Sequence, residues 1–200
     1  MSPPKSLLQM VGAPAHPSPL ERSALILIDI QREYSDGAVP LARVHEAAAE
    51  AAKVLELARR HNVPVFHIAH STGPGGPVFD PNGPYYAFLP EVAPLASETV
   101  VVKPHANCFI KTDLDQLIRP TGRQELIIVG NMTHVCVSAT ARSAAEQYGY
   151  RVTVVGDATA ARDLPNPLGG VVEAETVRQT ALTELADFFA IVVKDASAWG

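Results

Sequence analysis

The chain is poor in the features that would mark several classes of protein. Two cysteines in 200 residues, Cys108 and Cys136, are too few for a disulfide scaffold and point to a reducing, cytoplasmic compartment. Sixteen basic residues face twenty-one acidic ones, for a net charge of -5, and no stretch concentrates Lys or Arg. Nucleic acid and anionic membranes are therefore not expected as partners. No apolar run approaches the roughly 20 residues that span a bilayer. Lys5, Leu7-Leu8 and Met10-Val11 are too short and too interrupted for a secretory h-region. Residues 1–22 read instead as a Pro-rich arm lying across the domain or a partner subunit.

What remains is a chain that is 47% hydrophobic and 18% charged, the composition of one globular domain with a substantial core, here residues 23–200. Short apolar runs alternate with segments of helical period, and no internal repeat is found. Strands are predicted at 24–28, 65–68, 99–102, 126–129, 152–155 and 190–193. Helices are predicted over 41–60, 112–119, 134–149 and 171–188. Asn62 and Pro64 punctuate the first of them. Residues 71–97 hold six prolines, at 74, 77, 81, 84, 90 and 94, and read as a long ordered loop of functional use. The alternation predicts an α/β fold, a three-layer α/β/α sandwich around a six-stranded, mainly parallel sheet. Ligands in such sheets lie at the carboxyl ends of strands. That directs attention to Asp29, Lys103 and the turn after Val129.

Each candidate has an ordinary structural alternative. Asp29 ends an apolar strand, where a carboxylate loses hydration unless a cation compensates; it could equally cap the next turn. Lys103 stands in the same position on the third strand and could be that cation, or a solvated strand-end lysine. Cys136 falls between a buried strand and a helix, where the helix dipole favours thiolate and unpaired amides can hold an oxyanion. It could also be a small side chain packing helix onto sheet. Three complementary groups at three strand ends make a joint accident improbable.

The segments Leu25-Ile-Leu-Ile-Asp29-Ile-Gln31, Lys103-Pro-His-Ala-Asn-Cys-Phe109 with Thr112-Asp113-Leu114, and Gly130-Asn-Met-Thr133-His-Val-Cys136-Val137 with Thr140-Ala141 resemble the isochorismatase-like cysteine hydrolases. Gly156-Asp157-Ala158 with Ala161-Arg162-Asp163 extends the likeness, which covers about residues 23–193. The resemblance implies a catalytic triad: Asp29 as general acid/base, Lys103 as its electrostatic partner, Cys136 as nucleophile. It further implies an oxyanion hole from the amides of Met132 and Cys136, with a cis peptide between Asn131 and Met132. It implies a small-molecule substrate, no cofactor, and a homodimer or higher homo-oligomer. Gln31, Tyr34, His70, Phe109 and Thr133 are the candidate substrate-binding residues. The reaction expected is cleavage of a C–N bond in a small amide or ureide through a Cys thioester. The alternative is hydrolysis of a vinyl ether, with Asp29 as general acid.

One departure from the family is informative. Its nicotinamidases bind metal through Asp-x-His-x-x-x-His, whereas here the stretch is His67-Ile-Ala-His70-Ser-Thr-Gly. Histidines three apart on a strand point to opposite faces, so no shared metal is expected. Phe79, Tyr85, Tyr86 and Phe88 could line the pocket or a subunit contact. Cys108 reads as a buried small side chain, or else a resolving thiol for Cys136. Among rivals, a dehalogenase-type phosphatase needs a second aspartate where Gln31 stands and leaves Cys136 unused. A dinucleotide-binding turn fails on its glycines, and a non-catalytic scaffold would carry an unreactive Cys136.

Overall fold

A computed structural model describes residues 3–200. Its elements in chain order are α1 (Leu7–Met10), β1 (Ser23–Ile28), α2 (Val44–Arg60), β2 (Val65–His70), β3 (Thr99–Lys103), α3 (Leu114–Ile118), β4 (Glu125–Asn131), α4 (Ser138–Glu146), β5 (Arg151–Ala160), β6 (Leu164–Pro165), β7 (Val171–Val172), α5 (Ala174–Phe188) and β8 (Ile191–Val193). Six strands form one sheet in the order β3-β2-β1-β4-β5-β8, every pairing parallel. The order reverses between β1 and β4, which opens a crevice at their carboxyl ends. Among the described residues no helix is long and apolar enough to cross a membrane.

The strands' apolar runs are continuous because both faces are covered. Ile26, Ile28, Phe66, Ile68, Leu126 and Ile128 pack with α3, α4 and α5 on one side. Leu25, Leu27, Val65, Ile127 and Val129 pack with Ala47, Ala51, Val54 and Leu55 of α2 on the other. Each fully buried Leu or Ile contributes about 1.5–3 kcal/mol of transfer free energy, so the sheet's centre is the most stable part of the molecule.

The boundaries differ from expectation where local backbone decides them. Helix α2 starts at Val44 because Arg43 is left-handed, with φ 56°. It ends as predicted at Arg60, with Asn62 just beyond it left-handed at φ 52° and the Val63 amide reaching back to the Ala58 carbonyl. β5 runs on through Gly156-Asp157 to Ala160, past a register shift against β4. The two-residue strands β6 and β7 form a hairpin that short-range periodicity does not reveal.

The arm carries a one-turn helix, α1, and lies across its own domain. The Leu7 amide donates to Asp187, the Ser18 amide to the Thr153 hydroxyl, and the Trp199 indole to the Ser18 carbonyl. Arg151 donates to the His16 carbonyl. The 71–97 loop is likewise strapped to the body. Arg32 and Leu89 amides bond the carbonyls of Ala87 and Ile30, and Gln31 bridges Phe88 in antiparallel fashion.

Candidate active site

All six residues of β1 are buried, which leaves Asp29 no route to water as the chain leaves the sheet. Its amide donates to the Ile68 carbonyl on β2 at 2.9 Å. The backbone then turns at a left-handed φ of 50°, a conformation Asp tolerates better than most residues. Beside it on β4, Gly130 has φ 118°, and a Cβ there would lie 2.1 Å from the Ile28 carbonyl oxygen. Only glycine lets β1 and β4 approach this closely just before both supply site residues. The next peptide bond, Asn131–Met132, is cis.

Asp29 and Lys103 are wholly buried and Cys136 is 5% exposed. Lys103 Nζ lies 2.6 Å from Asp29 Oδ2 and 3.3 Å from Cys136 Sγ. It also donates to the His105 carbonyl at 3.1 Å. The 2.6 Å contact is an ion pair outside hydrogen-bonding angles, so neither carboxylate oxygen has a protein donor aligned on it. The solvated-lysine and turn-capping alternatives are thereby excluded: both side chains are wholly buried, and neither Asp29 oxygen takes a backbone amide. Such a pair costs desolvation that its own attraction only partly offsets.

Cys136 does not open an α-helix. It lies in a π-helical turn, Thr133–Val137, which precedes α4; Met132 ahead of it is extended, and its carbonyl takes the amides of Val135 and Val137. The expected acidification of the thiol does not hold in the resting site. Burial, reinforced by the Asp29 charge and only partly relieved by Lys103, pushes the thiol up to about 12. Burial likewise pushes the Asp29 carboxyl up to about 6, with Lys103 and the thiol holding it from rising further. Burial opposes the ammonium of Lys103, but Asp29, Cys136 and Cys108 together outweigh it and raise that group. Carboxylate and thiol lie within mutual hydrogen-bonding reach. Between about 6 and about 12 the pair therefore holds one proton. Moving that proton from sulfur to carboxylate creates a thiolate without changing the site's net charge.

The other candidates fall into two groups. Tyr34 and His70 flank the buried charges: the Tyr34 phenol is raised first by burial and then by the fields of Asp29 and Cys136, and His70 Nδ1 lies 3.3 Å from Lys103 Nζ. Phe79 packs edge-on against both, at 5.1 Å from each ring. Gln31, Thr133 and Phe109 spend their side chains on the protein. The Gln31 amide bonds the backbone of His70 and Tyr86, and the Thr133 hydroxyl bonds the Ala160 carbonyl. Phe109 stacks on Tyr148, 4.3 Å between centroids, in the α4-side core.

His67 and His70 point to opposite faces, and His67 Nε2 contacts Glu98 at 2.9 Å. Among the described residues no three His, Cys, Asp or Glu side chains converge as metal ligands. Both cysteines are free; Cys108 is wholly buried, its thiol pushed up by burial, and its amide bonded to Thr140.

Two acids escaped the sequence reading. Buried Glu33 accepts the amides of Ala38 and Phe79 and so fixes the wall behind Tyr34. Its only sequence signal is the adjacent Gly37, where a Cβ would strike the Glu33 carboxylate at 2.5 Å. Glu98, in the loop ahead of β3, gathers Arg59 and His67.

An isochorismatase domain matches residues 23–197. A secreted isochorismatase effector, Isc1, from Verticillium dahliae is 34% identical over 94% of this chain and 96% of its own length. A maleamate amidohydrolase from Pseudomonas putida is 30% identical over 82% of this chain and 87% of its own. A crystal structure of an isochorismatase from Pseudomonas putida KT2440 superposes with a TM-score of 0.91 at 39% identity, covering 97% of this chain and 98% of that one. With its six-stranded parallel sheet flanked by helices, this chain belongs to the isochorismatase family and is a hydrolase.

Proposed function

We propose that the enzyme cleaves a C–N bond of a small amide or ureide through a thioester on Cys136, with Asp29, Lys103 and Cys136 as its triad. The observation that carries this reading is a buried carboxylate with no aligned protein donor, beside a thiol and a lysine that both face it. Asp29 takes the thiol proton as sulfur attacks the substrate carbonyl carbon. Lys103 keeps the carboxylate charged beforehand and offsets the thiolate as it forms. The carbonyl electrons move onto oxygen, held by the amides of Met132, just ahead of the π-helical turn, and of Cys136 within it. Collapse breaks the C–N bond, and Asp29 returns its proton to the leaving nitrogen. Water, deprotonated by Asp29, then attacks the thioester and releases the acid and the thiol. No step calls on a metal or cofactor.

A vinyl ether mechanism has one observation in its favour. A carboxyl raised to about 6 is also a competent acid, and acid chemistry alone would leave the thiol idle. Cys136→Ala and Asp29→Asn, assayed on the best substrate from a panel of amides, ureides and isochorismate, separate the two. Loss of at least about a thousandfold in kcat for both variants is expected. Near-normal turnover by Cys136→Ala with none by Asp29→Asn assigns the ether reaction instead.

The same reading takes residues 23–200 as one hydrolase domain with an arm at 1–22, acting in the cytoplasm on a small molecule. The unpaired cysteines support that compartment. A homodimer or higher homo-oligomer is supported by the edge strand β3, whose Val100 and Val102 are 47% and 53% exposed on one face.

A further inference from the structure

β2 ends on His70, and Gln31 fixes its main chain from both sides. The His70 amide donates to Gln31 Oε1 at 2.8 Å, and its carbonyl accepts from Nε2 at 3.2 Å. The ring stands edge-on to Phe79 at 83°. Its Nδ1 lies 3.3 Å from Lys103 Nζ. An ammonium only donates, so Nδ1 is the acceptor and the ring proton sits on Nε2. Burial, with the charges of Lys103 and His105 adding to it, pushes the imidazole down to about 4, so the ring is neutral in ordinary buffers. Nε2 has no hydrogen-bond partner among the described residues, yet it is not sealed off like the orphaned Nδ1 atoms of His67 and His134. It is a fixed N–H donor, open on one side, one contact away from the ammonium that holds the thiol.

We infer that His70 is a substrate-binding residue whose Nε2–H donates to a second carbonyl oxygen, across the scissile nitrogen from the carbonyl that Cys136 attacks. The substrate class is then acylureas, imides and similar compounds with carbonyls on both sides of one nitrogen. This rests on the C–N cleavage proposed above. Sheet order supplies the alignment. The oxyanion amides follow β4, the proton donor to nitrogen follows β1, and His70 ends β2, three neighbouring strands in line. Carbonyl, nitrogen and second carbonyl map onto them in that order. A neutral donor suits a carbonyl oxygen better than a carboxylate, whose buried charge would need a cation. Lys103, the cation in contact here among the described residues, is already paired with Asp29.

The test uses N-acetylurea and acetamide as probes, the first with two carbonyls flanking its central nitrogen and the second with one. His70→Asn retains a polar group on the Lys103 side and lacks the far donor; His70→Gln restores an N–H at the far position. For N-acetylurea, His70→Asn is expected to lower kcat/KM about tenfold, mainly through KM, and His70→Gln to recover most of that loss. The loss on acetamide should be about fivefold smaller than the loss on N-acetylurea, and the acid limb of the pH profile should keep its midpoint in both variants. Equal losses on both probes, or a shifted acid limb with a fallen kcat, would mean that His70 only buttresses Lys103 and would overturn the assignment. Hydrolysis of neither probe, or of acetamide alone, overturns it too. Failure of the underlying reaction is distinguishable, because Cys136→Ala would then retain turnover whatever His70 does.

Discussion

Two buried ionic clusters share the β2–β3 half of the sheet, and they are built to opposite ends. In one, Glu98 takes two nitrogens of the Arg59 guanidinium, Nε and Nη2, at 2.8 and 2.9 Å, the His67 ring at 2.9 Å and the Leu95 amide at 2.8 Å. Burial pushes its carboxyl up, but Arg59, the Leu95 amide and His67 outweigh that and hold it at about 2. In the other, burial pushes the Asp29 carboxyl up to about 6, and Lys103 and the Cys136 thiol offset that only in part. Saturation makes a carboxylate inert and structural. Burial that its partners offset only in part keeps one ready to accept a proton, which a general base requires.

The sharpest way to break that contrast is to remove the cation beside Asp29. Lys103→Met is expected to abolish turnover, by at least about a thousandfold, because an uncompensated buried carboxylate takes up a proton and can no longer accept one from the thiol. Steady-state kinetics with a Tm measurement would check it. A folded Lys103→Met enzyme with kcat within tenfold of wild type would remove the lysine from the mechanism.

The opposite manipulation acts on stability. Glu98→Gln should lower unfolding free energy by about 2 kcal/mol, since it loosens a guanidinium pair and a buried ring. Its kcat should remain within about threefold, as read from urea melts and turnover of one preparation. A kcat loss to match Lys103→Met would show that the two clusters are coupled rather than separate.

The smallest effect separates them by pH. Asp29 is raised above its unfolded value of 3.8, so as pH falls through about 6 it takes up the proton and the base is lost; kcat/KM should show an acid limb with its midpoint near 6. Glu98 is lowered from 4.5 to about 2, so its stabilisation is present above 4.5 and disappears only as pH falls toward 2. Activity should therefore fall at pH 5 while the Tm still holds. Parallel loss of both across pH 5–6 would make the activity limb a folding effect.

These contrasts also mark how far the sequence could be read. The six strands were legible because runs such as 24–28 and 126–129 are apolar without alternation. Asp29 and Lys103 stood out as charges ending such runs, and the structure brings them together as expected from their strand positions. Glu33 and Glu98 were not legible, since each sits in a loop window typical of a solvated acid and is buried by segments distant in sequence. The charge state of Cys136 was misread for a related reason. A helix start was visible locally, but the Asp29 field and the loss of water come from other strands, and the helix start proved to be a π-helical turn. Gln31, Thr133 and Phe109 carry the right chemistry near the right strand ends, yet their side chains turn to backbone and core partners that spacing does not disclose.

Gly130 has a consequence for anyone who would redesign this enzyme. Where its hydrogen stands, the Ile28 carbonyl leaves no room for a methyl group. The separation of the strands that supply Asp29 and Cys136 is thus set by main-chain contact, not by side chains that could be exchanged. Widening the gap for a bulkier reacting group would mean prying apart the centre of the sheet. Apart from the crowded Gly37, Gly76 and Gly83, the loops over 30–43 and 71–97 lie outside that restriction, and they are where a library aimed at new substrates should place its diversity.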